Sequence, residues 1–488
     1  MSGGITTSEP RLLDKTGRKL VMAINSAAAA LWAEKHIEVP LGDVNFYDYD
    51  GTVVHSYTAK EFLALQDMPG NPAHKGLVSQ GWNWTLEKAQ AYVEKYGTCE
   101  IGQMYTTDDG KTRLYIRIGR SENFAVHLKF NQSAANAVTI DWGDGSAEET
   151  AEAAGNVKMD HVYAAEGDYI ATMIVAEGAS VRLGHSTTSG ATLVLAGGSS
   201  ACFFSQGLRD NGGRTGRDAL IALEIGAGVT DIGSVAFNYS MNLETITIPQ
   251  EVGMLRSLAF VGCVSLKAIV VPAGVTNIGE IAFGWLSRAT AICLPHTLTS
   301  IKQGAFRQCG SVKRLSIPEG VTVIEQQTFA GVNCAEVISI PDTIKGVIGS
   351  YAFERCYLIT KLNIPVGVTS IGNYAFACCY NLKHVELPEG VTTIGNGAFT
   401  SCFGIENFVI PSTVTEIKGF AFLYNDGANS FHVRATTPPT LEPTAFTEVA
   451  GNLAIYVPYS EDHSILAAYV AATGWSGRAD YIVEEPAA

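Results

Sequence analysis

No run of 18 apolar residues occurs in this 488-residue chain, so nothing in the sequence reads as a membrane-spanning helix. Basic stretches are missing too: 33 Lys and Arg stand against 48 Asp and Glu, a formal charge of −15. A chain this acidic is a poor match for nucleic acid or an anionic membrane, so no nucleic-acid partner and no membrane insertion are expected. Cysteine is scarce, with 10 residues, too few for a disulfide scaffold. Motifs that carry chemistry are lacking as well. No H-E-x-x-H, Walker loop, G-x-G-x-x-G or G-x-S-x-G appears, and the 10 histidines are scattered. The expectation is a non-enzyme with no catalytic residue, no cofactor and no metal. What is present excludes disorder: 47% hydrophobic and 17% charged residues are enough to build cores, and 50 glycines point to many tight turns. The length suggests about three domains.

Only Leu20–Ala33 imitates a signal peptide, and Asn25 and Ser26 interrupt its apolar run behind a polar stretch with Glu9 and Asp14. Leu13, Leu20, Ile24, Ala27 and Leu31 fall instead at spacings of 7, 4, 3 and 4, a helical stripe. Residues 1–38 are therefore expected to form a helix that packs on the body or serves oligomerisation or attachment.

Internal repetition decides the fold. Phenylalanine recurs at 237, 260, 283, 306, 329, 353, 376, 399 and 422, at intervals of 23 with a single 24. Prolines keep step at 249, 272, 295, 318, 341, 365, 388 and 411, and an isoleucine/leucine series from Ile232 to Ile417 keeps the same beat. The first and third positions before each proline are apolar, as Leu387 and Val385 are, while the second and fourth vary. Such alternation is a short strand with one buried face. Proline then stops the pairing, the G-V-T-x-I-G segment carries the chain round, and A-F fills the inside of the coil. A unit of this kind cannot bury its own apolar face, so neighbours must stack. Each buried phenylalanine contributes about 1.5–3 kcal/mol. The extra residue near 345–347 is expected to bulge in a loop.

The unit resembles the BspA-type leucine-rich repeat, with its 23-residue L-x-x-[IV]-x-[IL]-P-x-x-[IV]-T-x-I-G-x-x-A-F-x-x-C pattern, from Asp218 to about Phe446. The resemblance implies a mainly β chain: a leucine-rich-repeat solenoid over 197–453 and a C-terminal cap over 454–488, which protects the last open edge. It also implies recognition or adhesion at a cell surface rather than catalysis. Cys263, Cys309, Cys356, Cys379 and Cys402 all stand three residues after a ladder phenylalanine, where other units place Ser240, Leu286, Val332 and Asn425. A position that accepts such residues reads as small packing with buried free thiols; disulfides and metal are the alternatives.

Two modules precede the array. In 39–119, VNFYDYDGTVVHSYT (44–58) and GLVSQGWNW (76–84) resemble the internalin B-type (Listeria–Bacteroides) repeat, a β-grasp-like module, with one helix at 86–95. The same Asp48-Tyr49-Asp50-Gly51-Thr52 spells the D-x-D-G-T signature of haloacid-dehalogenase-type phosphatases, in which Asp48 would be nucleophile and Asp50 general acid. The α/β context that this chemistry needs is missing, so both aspartates are read as turn residues. In 120–196, the W-G-D-G-S turn at Trp142–Ser146, with His161, Tyr163 and Tyr169, resembles the PKD-type immunoglobulin-like sandwich. Gly197–Asp218 reads as linker.

The solenoid's long lanes are the informative surface. One follows the strand face, where Ala268, Val270, Ala291 and Cys293 are less polar than the ends. Another lies four residues after the ladder phenylalanine, at Tyr357, Tyr380 and Phe403, with Trp285 near it in phase. These rings either form an aromatic platform for ligand or pack on each other between turns. The expectation is a phage or prophage tail-associated receptor-binding protein, with a bacterial cell-surface adhesin as the alternative. Partners are then a host cell-surface glycan or protein, other virion tail proteins, and a second copy of the chain through the N-terminal helix. Localisation is the virion tail or the cell surface.

Overall fold

The first module forms where sequence alternation and helix caps agree. Strands β1 (Val44–Tyr47), β2 (Val53–Tyr57), β3 (Leu77–Trp82) and β4 (Cys99–Thr107) make a sheet of order β2-β1-β4-β3, with β1 and β4 parallel at its centre. Two helices accompany it: α1 (Ala59–Leu63), started by a Thr58–Glu61 capping box, and α2 (Leu86–Tyr96), which ends on left-handed Gly97. This is a β-grasp-like arrangement. Phe46, Phe62, Trp82, Tyr92 and Ile101 fill its core.

These features come from a computed structural model that describes residues 42–119, 125–184, 204–206 (backbone only), 219–449, 451 and 453–486. The expected N-terminal helix at 1–38 lies outside the described residues, and so does any pairing of chains through it. No described helix is long and apolar enough to cross a membrane.

The second module is a sandwich of two sheets, and both run on into the solenoid. Strands β5 (Thr112–Ile118), β6 (Ala125–Gln132), β7 (Val138–Asp141), β8 (Glu149–Thr150), β9 (Gly155–Val162), β10 (Gly167–Val175) and β11 (Val181–Leu183) are its own. Strand β12 (Phe204–Gln206), in the stretch read as linker, pairs antiparallel with β6. Strands β13 (Leu220–Glu224) and β14 (Val229–Ile232) begin the array. β5 pairs antiparallel with both β10 and β13, while β11 pairs parallel with β14. An array that starts with open strand edges would invite foreign pairing; here the sandwich occupies both edges. A single core runs from Leu114 to Ile482.

Along the array the nine ladder phenylalanines are buried in one column, from Phe237 to Phe422. Neighbouring rings stack at 5.2–6.1 Å between centroids and within 17° of parallel. Phe446 extends the column at 5.0 Å from Phe422. Each ring sits between two left-handed residues, as Phe353 does between Tyr351 (φ 59°) and Arg355 (φ 62°). That conformation is costly for residues with a Cβ, and the backbone bonds of the stack hold it: Tyr351, Phe353 and Arg355 donate their N–H to Asn373, Ala375 and Ala377 of the next turn. The extra residue falls between Ile344 and Ile348. It produces a register shift at Gly346/Val347 against Val368–Ile371, a bulge within a strand pair rather than in a loop.

The far end is closed by strands Ala454–Val457 and Ile482–Glu484, which extend the strand-face sheet, and by helix α3 (Ser464–Ala471). Tyr469 donates its hydroxyl to Ala435 O (2.7 Å) and Trp475 its indole N–H to Pro439 O (2.7 Å), both side chains buried. Polar tips thus serve the last turn's carbonyls while the rings cover its apolar end.

Candidate recognition surfaces

The strand-face lane of Ala268, Val270, Ala291 and Cys293 is not an open surface. The β-grasp-like module lies on it, with Tyr47 and Met104 packed against those four side chains. Gly102 permits the approach: a Cβ there would stand 2.6 Å from Val270 Cγ1 and 2.8 Å from the Cys293 Cβ. Buried donors follow the array's carbonyls. Asn83 Nδ2 donates to Val271 O and Cys293 O (both 3.1 Å), Trp84 Nε1 to Leu294 O (2.7 Å), and Tyr92 OH to Ile317 O (2.8 Å). At the rim Lys95 pairs with Glu319 (3.2 Å) and Asp342 (3.3 Å). The lane's lower polarity marks an internal interface.

Beyond Asp342 the strand face carries polar side chains. A cavity of 810 Å³ is lined by Lys361, Asn363, His384, Glu386, Glu389 and Arg434 among others, and Arg434 pairs with Glu386 (2.9 Å). Nearby, His432 stacks on Tyr456 (4.8 Å), its Nδ1 faces Glu485 (2.6 Å) and its Nε2 faces Ser430 Oγ (2.9 Å). Ser430 donates its hydroxyl proton to Asn407 Oδ1 (2.7 Å), so the imidazole is not its base, and the set is a structural network.

The structure brings three of the four expected ligand residues together. Tyr357 and Tyr380 stack at 4.8 Å and 4°, Tyr380 and Phe403 at 5.3 Å and 24°, all half-buried. Burial raises both tyrosine pKa values, so the hydroxyls stay protonated. Trp285 is not part of this stack. It stands two residues after its phenylalanine rather than four, is 37% exposed, and has Arg307 over its ring at 5.6 Å. Sequence reasoning missed a second pair, Tyr351 on Tyr374 at 5.2 Å and 12°. The signal was there as Y-A-F in two consecutive units.

The thiol column is buried, and its members do more than fill space. Sγ of Cys309, Cys356, Cys379 and Cys402 donates to the carbonyl of the ladder phenylalanine at or before the preceding turn: Phe283 (3.2 Å), Phe329 (3.5 Å), Phe353 (3.4 Å) and Phe376 (3.1 Å). Asn425 does the same to Phe399 O (3.0 Å). These four cysteines are free, and burial pushes the Cys309 thiol up to about 12.

Asp48 and Asp50 stand in the β1–β2 hairpin turn. Asp48 accepts from Tyr49 N (2.8 Å) and faces His74 Nε2 (2.6 Å), while Asp50 accepts from Thr52 N (2.9 Å) ahead of the antiparallel return strand. In the sandwich, buried Trp142 stacks on His161 (4.7 Å), which bonds Asp144 (2.8 Å). Asp144 also accepts from Ser146 N (3.0 Å), and these bonds hold its carboxyl down at about 2. A Cβ on Gly143 (φ 75°) would lie 2.2 Å from Ile170 O. Among the described residues no group of three or more His, Cys, Asp or Glu is arranged to hold a metal.

Stacked turns of this period, with a proline-ended strand and an A-F column, define a leucine-rich-repeat solenoid. More narrowly, residues 217–335 and 299–429 match the BspA type leucine rich repeat region, in 6 copies, and that part of the chain is such a region. The chain is similar to a leucine-rich repeat protein from Bacteroides ovatus ATCC 8483, with 23% identity and a TM-score of 0.41, covering 48% of this chain and 65% of that one. It is also similar to a leucine rich cell surface protein from Faecalibacterium prausnitzii A2-165 (22% identity, TM-score 0.28, 49% and 86% covered). A third is a leucine-rich repeat protein from Eubacterium ventriosum ATCC 27560 (22%, 0.30, 50% and 68%). No curated protein matches.

Proposed function

We propose that this chain is a non-enzymatic recognition protein, a phage or prophage tail-associated receptor-binding protein whose solenoid contacts a glycan or protein on the host cell surface. One observation carries the reading: three rings from consecutive turns, Tyr357, Tyr380 and Phe403, are stacked and half-buried, so their edges form a rigid amphipathic strip. Such a strip gives contact area at small entropic cost. The reduced thiols fit assembly in a reducing cytosol, where virions are built: Cys379 and Cys402 stand on adjacent turns and both are free. Family likeness supports adhesion or protein interaction, and a bacterial surface adhesin is the reading that remains if the carrier is a cell.

Binding of the full chain to whole bacterial cells tests the site. Tyr380→Ala combined with Phe403→Ala should weaken binding about tenfold or more, with the circular dichroism spectrum kept. Undiminished binding would return these rings to internal packing. Tail and baseplate genes beside its gene would support the phage carrier; their absence would favour the cell surface.

A further inference from the structure

We infer that the β-grasp-like module is a proton-locked cover on the solenoid: a neutral Glu100 holds it down over the apolar strand face, and ionisation of Glu100 loosens it.

The geometry comes first. Glu100 lies on β4, is buried, and points from the module into the array. Its Oε2 is 2.5 Å from Ser316 Oγ, and Ser316 Oγ is 3.4 Å from Thr98 O. Ser316 donates its hydroxyl proton to that oxygen, a bond that favours the carboxylate but leaves the group shut away from water between the module and the array. Ionised, the group leaves a charge in the seam whose Oε1 has no hydrogen-bond partner. A fully buried carboxylate with one oxygen left without a hydrogen bond is costly even with Ser316 on the other.

The titrating group in the seam is then identifiable. Tyr47, Tyr92, Cys99 and Cys293 act on or surround Glu100, and burial raises all four, so they stay neutral through the physiological range. The Arg314 guanidinium also acts on Glu100. Burial raises Glu100 from 4.5 to about 7, against the lowering pull of Ser316, Arg314 and Asn45. The sign follows: the docked state holds the proton more tightly than the undocked state. Docking is tightest below about 4.5 and weakens as pH climbs to about 7, where the loss is complete. A rise from 4.5 to about 7 corresponds to roughly 300-fold in the docking equilibrium. Lifting the module would uncover Ala268, Val270, Ala291 and Cys293 together with the carbonyls of Val271, Leu294 and Ile317, an apolar strip edged by acceptors.

Two thiols in the seam report on it, since Cys99 and Cys293 are buried and free. The full chain is treated with a maleimide from pH 5 to 8, each peptide's labelling is followed by mass spectrometry, and every rate is divided by that of a small model thiol at the same pH. Normalised labelling of Cys293 should rise steeply between pH 5 and 7, by up to about 100-fold, then level off. Cys356, in the buried thiol column of the array, should show no such rise, which separates lifting of the cover from unfolding of the array. Glu100→Gln should abolish the rise and keep the low-pH level. Ser316→Ala, which removes a bond that favours the charged form, should move the midpoint to higher pH; it serves also if the Gln variant fails to fold. A flat wild-type profile, or an unchanged rise in Glu100→Gln, would overturn the inference.

Discussion

Asn83 tests how the module is seated. Its side chain is 0% exposed and spans the seam: Nδ2 donates to Val271 O and Cys293 O at 3.1 Å each, and Oδ1 accepts from Gly102 N at 2.8 Å. In Asn83→Ala, Cys293 O keeps the N–H of Val271 (3.0 Å), but the Asn83 bonds to Val271 O and Gly102 N are lost. At about 1–3 kcal/mol for each buried group left unsatisfied, with water entering part of the space, the cost is about 2–4 kcal/mol. Asn83→Asp is the sharper probe because its volume is unchanged. One carboxylate oxygen still accepts from Gly102, while the other faces two carbonyls and repels them, so this variant should be at least as destabilised as the alanine. Urea unfolding gives the energies. Hydrogen exchange localises them, with faster exchange expected in peptides covering 77–107 and 268–294 and little change beyond 400. A stable aspartate variant, or an alanine cost under about 0.5 kcal/mol, would show that the amide does not hold the seam.

Two more expectations concern the column and the sandwich. Phe306 is stacked between Phe283 (5.5 Å) and Phe329 (5.8 Å) in the buried column, so Phe306→Ala should cost about 3–5 kcal/mol in urea unfolding; a cost below 1 kcal/mol would mean the turns close over the gap. Asp144, held down at about 2 by Ser146 and His161, stabilises the sandwich above its ordinary 3.8 and loses that contribution as pH falls through about 2. Melting temperatures of wild type and Asp144→Asn should therefore differ at pH 6 and converge near pH 2, and parallel curves would refute the assignment.

The array was legible because repetition supplies its own register. A residue in phase with eight others must share their column, so burial of Phe237 to Phe422 follows from spacing. The aromatic stack was legible for the same reason, whereas Trp285, two residues after Phe283 rather than four, belongs to another column. The seam was not legible. Asn83, Glu100 and Gly102 recur nowhere in phase, and their partners lie some 170–220 positions away. The one local sign, a strand-face lane turned apolar at Ala268–Cys293, fits an exposed strip as well as a covered one until the module is set upon it. The partner of strand β5 was hidden similarly, since pairing with β13 leaves no mark on the alternation of Thr112–Ile118.

These packings narrow where a partner can bind. The sandwich takes the first turns' edges, the segment around Tyr469 and Trp475 takes the last, and the β-grasp-like module takes the strand face as far as Asp342. On the strand face, what stays open while the module is seated belongs to the later turns, from Lys361 to Tyr456, and the half-buried stack of Tyr357, Tyr380 and Phe403 lies on those turns as well. Both lie in the same half of the array although nothing in the repeat itself distinguishes that half. On the proposed reading, recognition would be placed by what covers the solenoid as much as by what the solenoid displays. A ligand that bound the earlier turns would have to compete with Asn83, Trp84 and Tyr92 for the same carbonyls.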